Sequence, residues 1–185
     1  MRKLLLSMFL LCASYIHAQE KLSFSEVIPV DSVNKTQIYA MVRGWVATTY
    51  NSAQDVIQMD DKDAGIIICS ALFEYSYGKL RYAAYEGAID YTLKIQIKDG
   101  RFKVELSNFI HKIGIDHATA MNKNCNLGLI TTAEQYTDKG AYKTFHNNVW
   151  SDIKSKAEIY SEGIFELLKK VSKENVVQDN KDDDW

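Results

Sequence analysis

The chain has 185 residues, with 22 Lys and Arg against 24 Asp and Glu, a formal net charge of −2 and 46% hydrophobic residues. This length corresponds to one domain whose core is large enough to fold without a framework of disulfides. The charge excludes a strongly basic binder of polyanions, so we expect no nucleic-acid partner.

The N-terminus has the pattern of a secretory signal peptide. Two basic residues precede an apolar run over residues 4–11, and small and polar residues follow as far as Ala18. A membrane-spanning helix needs about twenty apolar residues, so we predict no membrane span. We predict cleavage after Ala18, a mature chain from Gln19, and export to the periplasm, the cell surface or the medium. Two alternatives stay open: an N-terminal core element, and a lipoprotein anchored through Cys12.

A strand and a helix open the predicted domain. Residues 24–30 have a strand-like pattern, and Asn34 with Gln37 forms a capping-box pattern that begins a helix reaching about Tyr50. One side of this helix must be buried, because the following residues share a stripe: Ile38, Val42, Trp45, Val46 and Thr49.

Two hairpins follow the helix. Residues 55–59 and 66–77 are strand-like and flank a polar turn over 60–65. Strict alternation over 89–98 predicts a half-buried strand, and Asp99-Gly100 predicts a type I′ turn into the next strand. The register set by this turn pairs Ile97 with Phe102, Ile95 with Val104, Leu93 with Leu106, Lys94 with Glu105 and Thr92 with Ser107.

The last part of the chain is predicted to end in a long helix. Residues 111–142 are interpreted as a loop with one strand at 127–132, residues 144–173 as the helix, and 175–185 as a disordered acidic tail. The buried stripe of the helix is predicted to contain Val149, Ile153, Ala157, Tyr160, Ile164, Leu167 and Val171. Ile159 and Phe165 flank this stripe, so they are candidates for a contact surface unless a loop covers them.

Two segments resemble a known family: Ser-Ala-Gln-Asp-Val-Ile-Gln-Met-Asp-Asp-Lys-Asp-Ala-Gly over 52–65, and Tyr-Thr-Leu-Lys-Ile-Gln-Ile-Lys-Asp-Gly-Arg-Phe over 91–102. They are similar to an exported bacterial family, domain of unknown function 4468, described as having a fold like the TATA-binding protein. The resemblance covers residues 24–109 and implies an α+β domain in which a curved antiparallel sheet has its helices on one face. It implies no catalytic residues.

The open face of such a sheet is predicted to be mixed and polar. It would present Thr92, Lys94, Gln96, Lys98, Lys103 and Glu105. These side chains lack the apolar wedges of proteins that kink DNA, and a fold name alone implies no DNA binding.

Two sets of residues are candidates for chemistry. Asp60, Asp61 and Asp63 could attract Ca²⁺, but their spacing differs from an EF-hand loop and a solvated turn explains them. A second set has the side chains found in zinc or nucleophile–base sites: His111, Asp116 and His117, with Cys125 nearby in sequence. No zinc-binding or nucleophile motif is present. We therefore predict no metal, no cofactor and no catalytic residues.

Two cysteines remain after the predicted cleavage. Cys69 and Cys125 could form a disulfide in an exported protein or remain as thiols, and their spacing does not decide between these states.

The connection between the predicted strands is rich in tyrosine. Tyr82 and Tyr85 lie in it, and they either pack onto a neighbouring loop or offer contact area to a ligand. The sequence thus favours a non-enzymatic envelope module that binds another macromolecule, or is part of an assembly, through its sheet edge, this connection or the long helix. The alternatives are a hydrolase-like enzyme that uses the loop from His111 to Cys125, and the lipid-anchored protein.

Overall fold

A computed structural model describes residues 20–50, 52–114, 123–136 and 140–178. In chain order these form β1 (Ser23–Pro29), α1 (Lys35–Thr49), the single turn α2 (Ala53–Val56), β2 (Ile57–Asp61), β3 (Ile66–Tyr75), β4 (Gly87–Lys98), β5 (Arg101–Ile113), β6 (Gly128–Leu129) and α3 (Lys143–Gln178). Short 3₁₀ turns occupy Leu80–Tyr85 and Lys123–Cys125. No helix within these described ranges is long and apolar enough to span a bilayer. The predicted signal peptide lies outside the described residues.

All strands belong to one antiparallel sheet. Its order is β1-β5-β4-β3-β2, and β6 pairs with the far end of β5. Helices α1 and α3 pack against each other; α1 also contacts β4 and β5, and α3 contacts β1 and β5. The predicted α+β fold, with helices on one face of a curved sheet and a long C-terminal helix, is confirmed.

The hairpin of β4 and β5 has the predicted register. Ile97 faces Phe102 on the buried side and Lys94 faces Glu105 on the open side. The predicted type I′ turn is wrong, because Gly100 has a φ of 71° whereas Asp99 does not adopt a positive φ. Asp99 has another role: its Oδ1 accepts a hydrogen bond of 2.7 Å from the Lys35 N–H, and so joins the hairpin tip to the start of α1.

The β2–β3 hairpin begins later than predicted. The N–H groups of Asp55 and Val56 both donate to the Ser52 carbonyl, which winds the start of the predicted strand into α2. In the turn that follows, Gly65 has a φ of 71°, and a Cβ there would lie 2.7 Å from the Ile97 carbonyl oxygen. Glycine is therefore required at the end of the Asp-Lys-Asp-Ala-Gly turn.

Helix α1 begins as predicted. Asn34 Oδ1 accepts from the Gln37 N–H at 3.0 Å, and the Gln37 side chain accepts from the Asn34 N–H, so the capping box is confirmed. Four of the five predicted stripe residues are buried, but Thr49 is exposed and Tyr39 is buried in its place.

Helix α3 is longer than predicted, and near its C-terminal end the buried residues differ from the predicted ones. Leu168 is fully buried whereas Leu167 is 49% exposed, so the predicted position 167 is wrong. The reason is that the buried face advances by four residues from Ile164 through Leu168 to Ser172. Residues 175–178, which were predicted to be tail, continue the helix, and 179–185 lie outside the described residues.

The predicted loop after Phe109 is partly sheet. Strand β5 runs on to Ile113, and β6 pairs with it inside the predicted strand 127–132. Asn108, with a φ of 54°, lies at the irregularity where β5 changes register against β4. This bulge lets one long strand keep its apolar side inward along its whole length.

The sheet face opposite the helices is less polar than predicted. The six predicted polar residues of β4 and β5 point there, since their neighbours in sequence are buried. The outer strands add exposed apolar side chains to this face: Val27 (54% exposed), Met59 (40%) and Leu72 (58%).

Candidate functional site

The connection between β3 and β4, residues 76–86, packs on the first turns of α3. The rings of Tyr77 and Tyr82 stack with centroids 3.9 Å apart, and Tyr82 contacts the Phe145 ring at 5.2 Å. The Asn148 side-chain amide donates a hydrogen bond of 2.7 Å to the Tyr82 hydroxyl. Aromatic stacking and one polar contact thus hold the connection on the helix.

Three of the four predicted binding residues are buried. Tyr82 and Tyr85 are only 2% and 3% exposed, and Phe165 is 7% exposed. The packed alternative therefore holds for the two tyrosines, and Phe165 faces the core because neighbouring parts of the fold cover it. Only Ile159, at 65% exposure, lies on the surface as an isolated apolar side chain.

Below the connection lies a pocket of about 240 Å³, which we name the connection pocket. Its walls come from three segments: the 3₁₀ turn Leu80–Tyr85, the 3₁₀ turn Lys123–Cys125 and the start of α3. The lining residues are Arg81, Ala84, Tyr85, Asn124, Cys125, Tyr142, Phe145 and His146. The pocket thus combines an aromatic wall with one cation, one amide and one thiol.

The connection pocket has one cationic lining residue, Arg81, and two further cations, Lys79 and Lys143, are adjacent in sequence to the segments that form its walls. The Arg81 guanidinium lies 5.1 Å from the centroid of the Tyr82 ring, and the Lys79 ammonium lies 5.8 Å from that of Tyr77. Lys143 is exposed next to Tyr142 at the start of α3. Among the described residues, none of these three cations pairs with a carboxylate. Their charge is thus available to an anionic group.

Apolar side chains project beside these charges. Leu80 is 94% exposed, Tyr142 60% and Phe145 36%. Exposed apolar area next to a concave pocket is typical of a contact site.

A second concavity is larger, but one of its lysines is already paired with carboxylates of the chain. This groove of about 550 Å³ lies between the end of β1 and α3, and is lined by Ile28, Val30 and Lys173 among others. Lys169 at its edge already pairs with Glu26 at 2.7 Å and with Glu166 at 2.8 Å, so its charge is compensated within the chain.

His111 is a structural residue. It is fully buried, its Nδ1 accepts from the Leu127 N–H at 3.2 Å, and its Nε2 lies 2.9 Å from the Tyr85 carbonyl oxygen. Because Nδ1 is the acceptor, the proton lies on Nε2 and is donated to Tyr85. Burial lowers the pKa of His111, so the ring is neutral. With both nitrogens bonded to backbone, His111 has no lone pair for base catalysis. Asp116 and His117 lie outside the described residues.

The two cysteines are unpaired thiols. Burial raises the pKa of Cys69 to about 11, and burial also raises the pKa of Cys125, partly offset by a hydrogen bond with Tyr85. Both thiols are therefore protonated at neutral pH, and the nucleophilic form is the thiolate.

The aspartates of the β2–β3 turn are engaged within the protein. Asp60 accepts hydrogen bonds from Tyr39 and from Arg43, which hold the pKa of its carboxyl below the usual range although desolvation opposes this. Asp61 Oδ1 accepts from the Ala64 N–H at 2.8 Å. Within the described ranges, no three His, Cys, Asp or Glu side chains are grouped in a way that could hold a metal ion.

The fold and pocket define a small α+β domain of the TBP-like class. Residues 24–112 match the family described as "Domain of unknown function (DUF4468) with TBP-like fold". The resemblance seen in the sequence is thereby confirmed.

Two solved structures are similar over most of their length. A TBP-like protein from Parabacteroides distasonis has a TM-score of 0.59 and 15% identity, covering 83% of this chain and 93% of that one. A DUF4468 family protein from Bacteroides ovatus has a TM-score of 0.54 and 18% identity, covering 85% and 91%. At this identity the likeness shows the fold alone. No curated protein matches the sequence.

Of the residues that line the connection pocket, the sequence pointed to Tyr85 and Cys125 but not to the other six. Tyr142, Phe145 and His146 are spaced i, i+3 and i+4, which places them on one side of a helix start. Arg81 lies between the tyrosines of the connection. These two signals were visible, but nothing in the sequence brings the two segments together.

Proposed function

We propose that this protein is a non-enzymatic binding module of the bacterial envelope, and that the connection pocket holds a group of its partner that is flat, apolar and anionic. An aromatic side chain next to a carboxylate on a partner protein has this chemistry. The observation that carries the proposal is the Arg81 guanidinium, held over the Tyr82 ring at the edge of an aromatic pocket. The location in the envelope rests on the signal-peptide pattern of residues 1–18.

Arg81 is suited to bind a carboxylate. Its guanidinium is planar and offers paired N–H donors, which bind a carboxylate through two parallel hydrogen bonds. Contact with the Tyr82 ring restricts the orientation of the side chain before a ligand arrives, which reduces the entropy lost on binding.

The aromatic wall is suited to the apolar part of the same ligand. Tyr142 and Phe145 offer large rigid surfaces with few rotatable bonds. A pocket of about 240 Å³ has room for one aromatic side chain rather than for an extended ligand. A single buried anchor of this kind commonly supplies most of the free energy of a protein–protein contact.

The non-enzymatic part of the proposal rests on His111 and Cys125. The first uses both nitrogens to bond backbone groups and the second is a protonated thiol. Neither is poised for the hydrolase-like chemistry that their residue types suggested.

The test uses two small probes that differ in charge, indole-3-acetate and indole-3-acetamide. We expect NMR titration to place both at the connection pocket, with the acetate bound about tenfold more tightly because a charge-assisted hydrogen bond is stronger than a neutral one. Arg81→Glu should remove the preference for the acetate. Arg101→Glu is the matched control, since Arg101 is exposed at the β4–β5 hairpin on another part of the surface. Equal affinities for the two probes, or loss of the preference in the control, would contradict the proposal.

Alkylation of Cys125 gives an independent readout. Cys125 lines the pocket and is partly exposed, whereas Cys69 is fully buried. Saturating indole-3-acetate should slow the reaction of Cys125 with iodoacetamide at pH 8.5. An unchanged rate with bound probe would mean that the probe lies elsewhere.

A further inference from the structure

The last seven residues of the sequence are opposite in charge to the connection pocket and include an aromatic side chain. Segment 179–185 reads Asp-Asn-Lys-Asp-Asp-Asp-Trp, with four aspartates, one lysine and an indole. Its formal charge of about −3 is opposite to that of Arg81 in the pocket and of Lys79 and Lys143, which are next in sequence to the lining segments. Complementary charge favours association and sets its register. The indole is an aromatic body next to carboxylates, which is the chemistry proposed for the ligand.

The segment cannot reach the connection pocket of its own copy. The pocket is at the first turns of α3, and Phe145 is separated from Gln178 by 33 helical positions, or about 50 Å at 1.5 Å per residue. Seven residues extend at most about 25 Å. Any such contact must therefore join two molecules.

We propose that a second copy of this chain supplies the occupant of the connection pocket: Trp185 of one copy inserts between Tyr142 and Phe145 of the next, and its aspartates lie on Arg81, Lys79 and Lys143. This inference rests on the proposed function, because it names the partner of the same pocket. The contact joins the two opposite ends of α3. Different surfaces of the two copies make this contact, so it forms open chains or rings, and two copies that exchange segments reciprocally form a closed dimer.

The test is sedimentation velocity of protein purified from cells that express the full chain, at 1–200 μM and in 50 mM NaCl. We expect wild type to form dimers or larger species as concentration rises. Arg81→Glu reverses the charge in the pocket, and a chain that stops at Gln178 lacks the segment. Each variant alone should therefore remain monomeric. The Arg101→Glu control should assemble like wild type.

Mixing the two defective variants is the decisive arm. One retains a working segment and the other a working pocket, so together they should form a one-to-one complex and nothing larger. Raising NaCl to 0.5 M should weaken this complex at least tenfold, since screening shortens the range of the attraction. Trp185→Ala should behave like the shortened chain, and Tyr142→Ala like Arg81→Glu.

Three results would overturn the inference: a monomeric wild type at 200 μM, undiminished assembly of the shortened chain, or a mixture that does not pair. The proposed function is judged separately by the indole probes. If indole-3-acetate binds at the pocket but segment 179–185 does not, another acidic protein segment is the partner and only the self-association fails. If neither binds, both proposals fail.

Discussion

Replacing His111 by Phe should strongly destabilise the protein. Phe keeps the ring but removes both ring nitrogens, so the Tyr85 carbonyl and the Leu127 N–H lose their partners in a site with no solvent exposure. An unsatisfied buried polar group costs about 1–3 kcal/mol, so the two together should cost about 2–6 kcal/mol. Urea denaturation at pH 7.5, with His111→Gln as a variant that keeps a donor for Tyr85, measures the loss.

The pH dependence of stability tests the same reasoning. Burial lowers the pKa of His111 in the folded state, so the unfolded chain binds the proton more readily. The stabilisation is complete above the unfolded pKa of about 6.5 and is lost as the pH falls below it, by up to about 1.4 kcal/mol per pH unit. This component should be absent from the pH profile of His111→Gln. A His111→Phe variant that loses less than about 1 kcal/mol, or identical pH profiles between 5.5 and 7.5, would refute the assignment of a buried, neutral and doubly bonded histidine.

Three further predictions follow from burial and from the N-terminal pattern. Phe165→Glu should cost several kcal/mol in urea denaturation because it places a charge in the core, whereas Ile159→Glu on the exposed side of α3 should stay within about 0.5 kcal/mol. Tyr91→Phe should cost about 1–2 kcal/mol, since the Tyr91 hydroxyl bonds two other tyrosine hydroxyls at 3.1 Å; an unchanged denaturation midpoint would contradict this. Intact mass spectrometry of the exported protein should give a chain that begins at Gln19; a lipid-modified Cys12 would establish the lipoprotein instead.

Local rules predicted the centre of the sheet well. The alternation along β4 and the short Asp99-Gly100 connection determined the register with β5, because a slip by one residue would have moved every apolar side chain to the solvent. The capping box at Asn34 likewise predicted the start of α1, since its hydrogen bonds span only three residues. Such features depend on neighbours in sequence or on one hairpin.

Errors arose where distant contacts decide the conformation. Asp99 was predicted to have the positive φ of a type I′ turn, but only Gly100 has one, and the Asp99 carboxylate bonds the Lys35 N–H, which is 64 positions away. Leu167 and Leu168 are equally apolar, and only the direction of α3 over the sheet selects the second for burial. The connection pocket could not be predicted for the same reason, because its walls come from three segments that meet only after α3 docks.

Different residues of the connection pocket determine the stability of the protein and the affinity for a ligand. Two hydrogen bonds fix the inner wall. His111 donates to the Tyr85 carbonyl, and the Asn148 side-chain amide donates to the Tyr82 hydroxyl. The charged group of the pocket, Arg81, lies over the face of the Tyr82 ring, and within the part of the chain that the structure describes it forms no ion pair. Substitutions behind the wall should therefore lower the free energy of unfolding together with affinity, whereas Arg81→Glu should lower affinity alone. A pocket whose wall is fixed before the ligand arrives loses little conformational entropy on binding. This arrangement favours recognition of one small anchor group over adaptation to many partners.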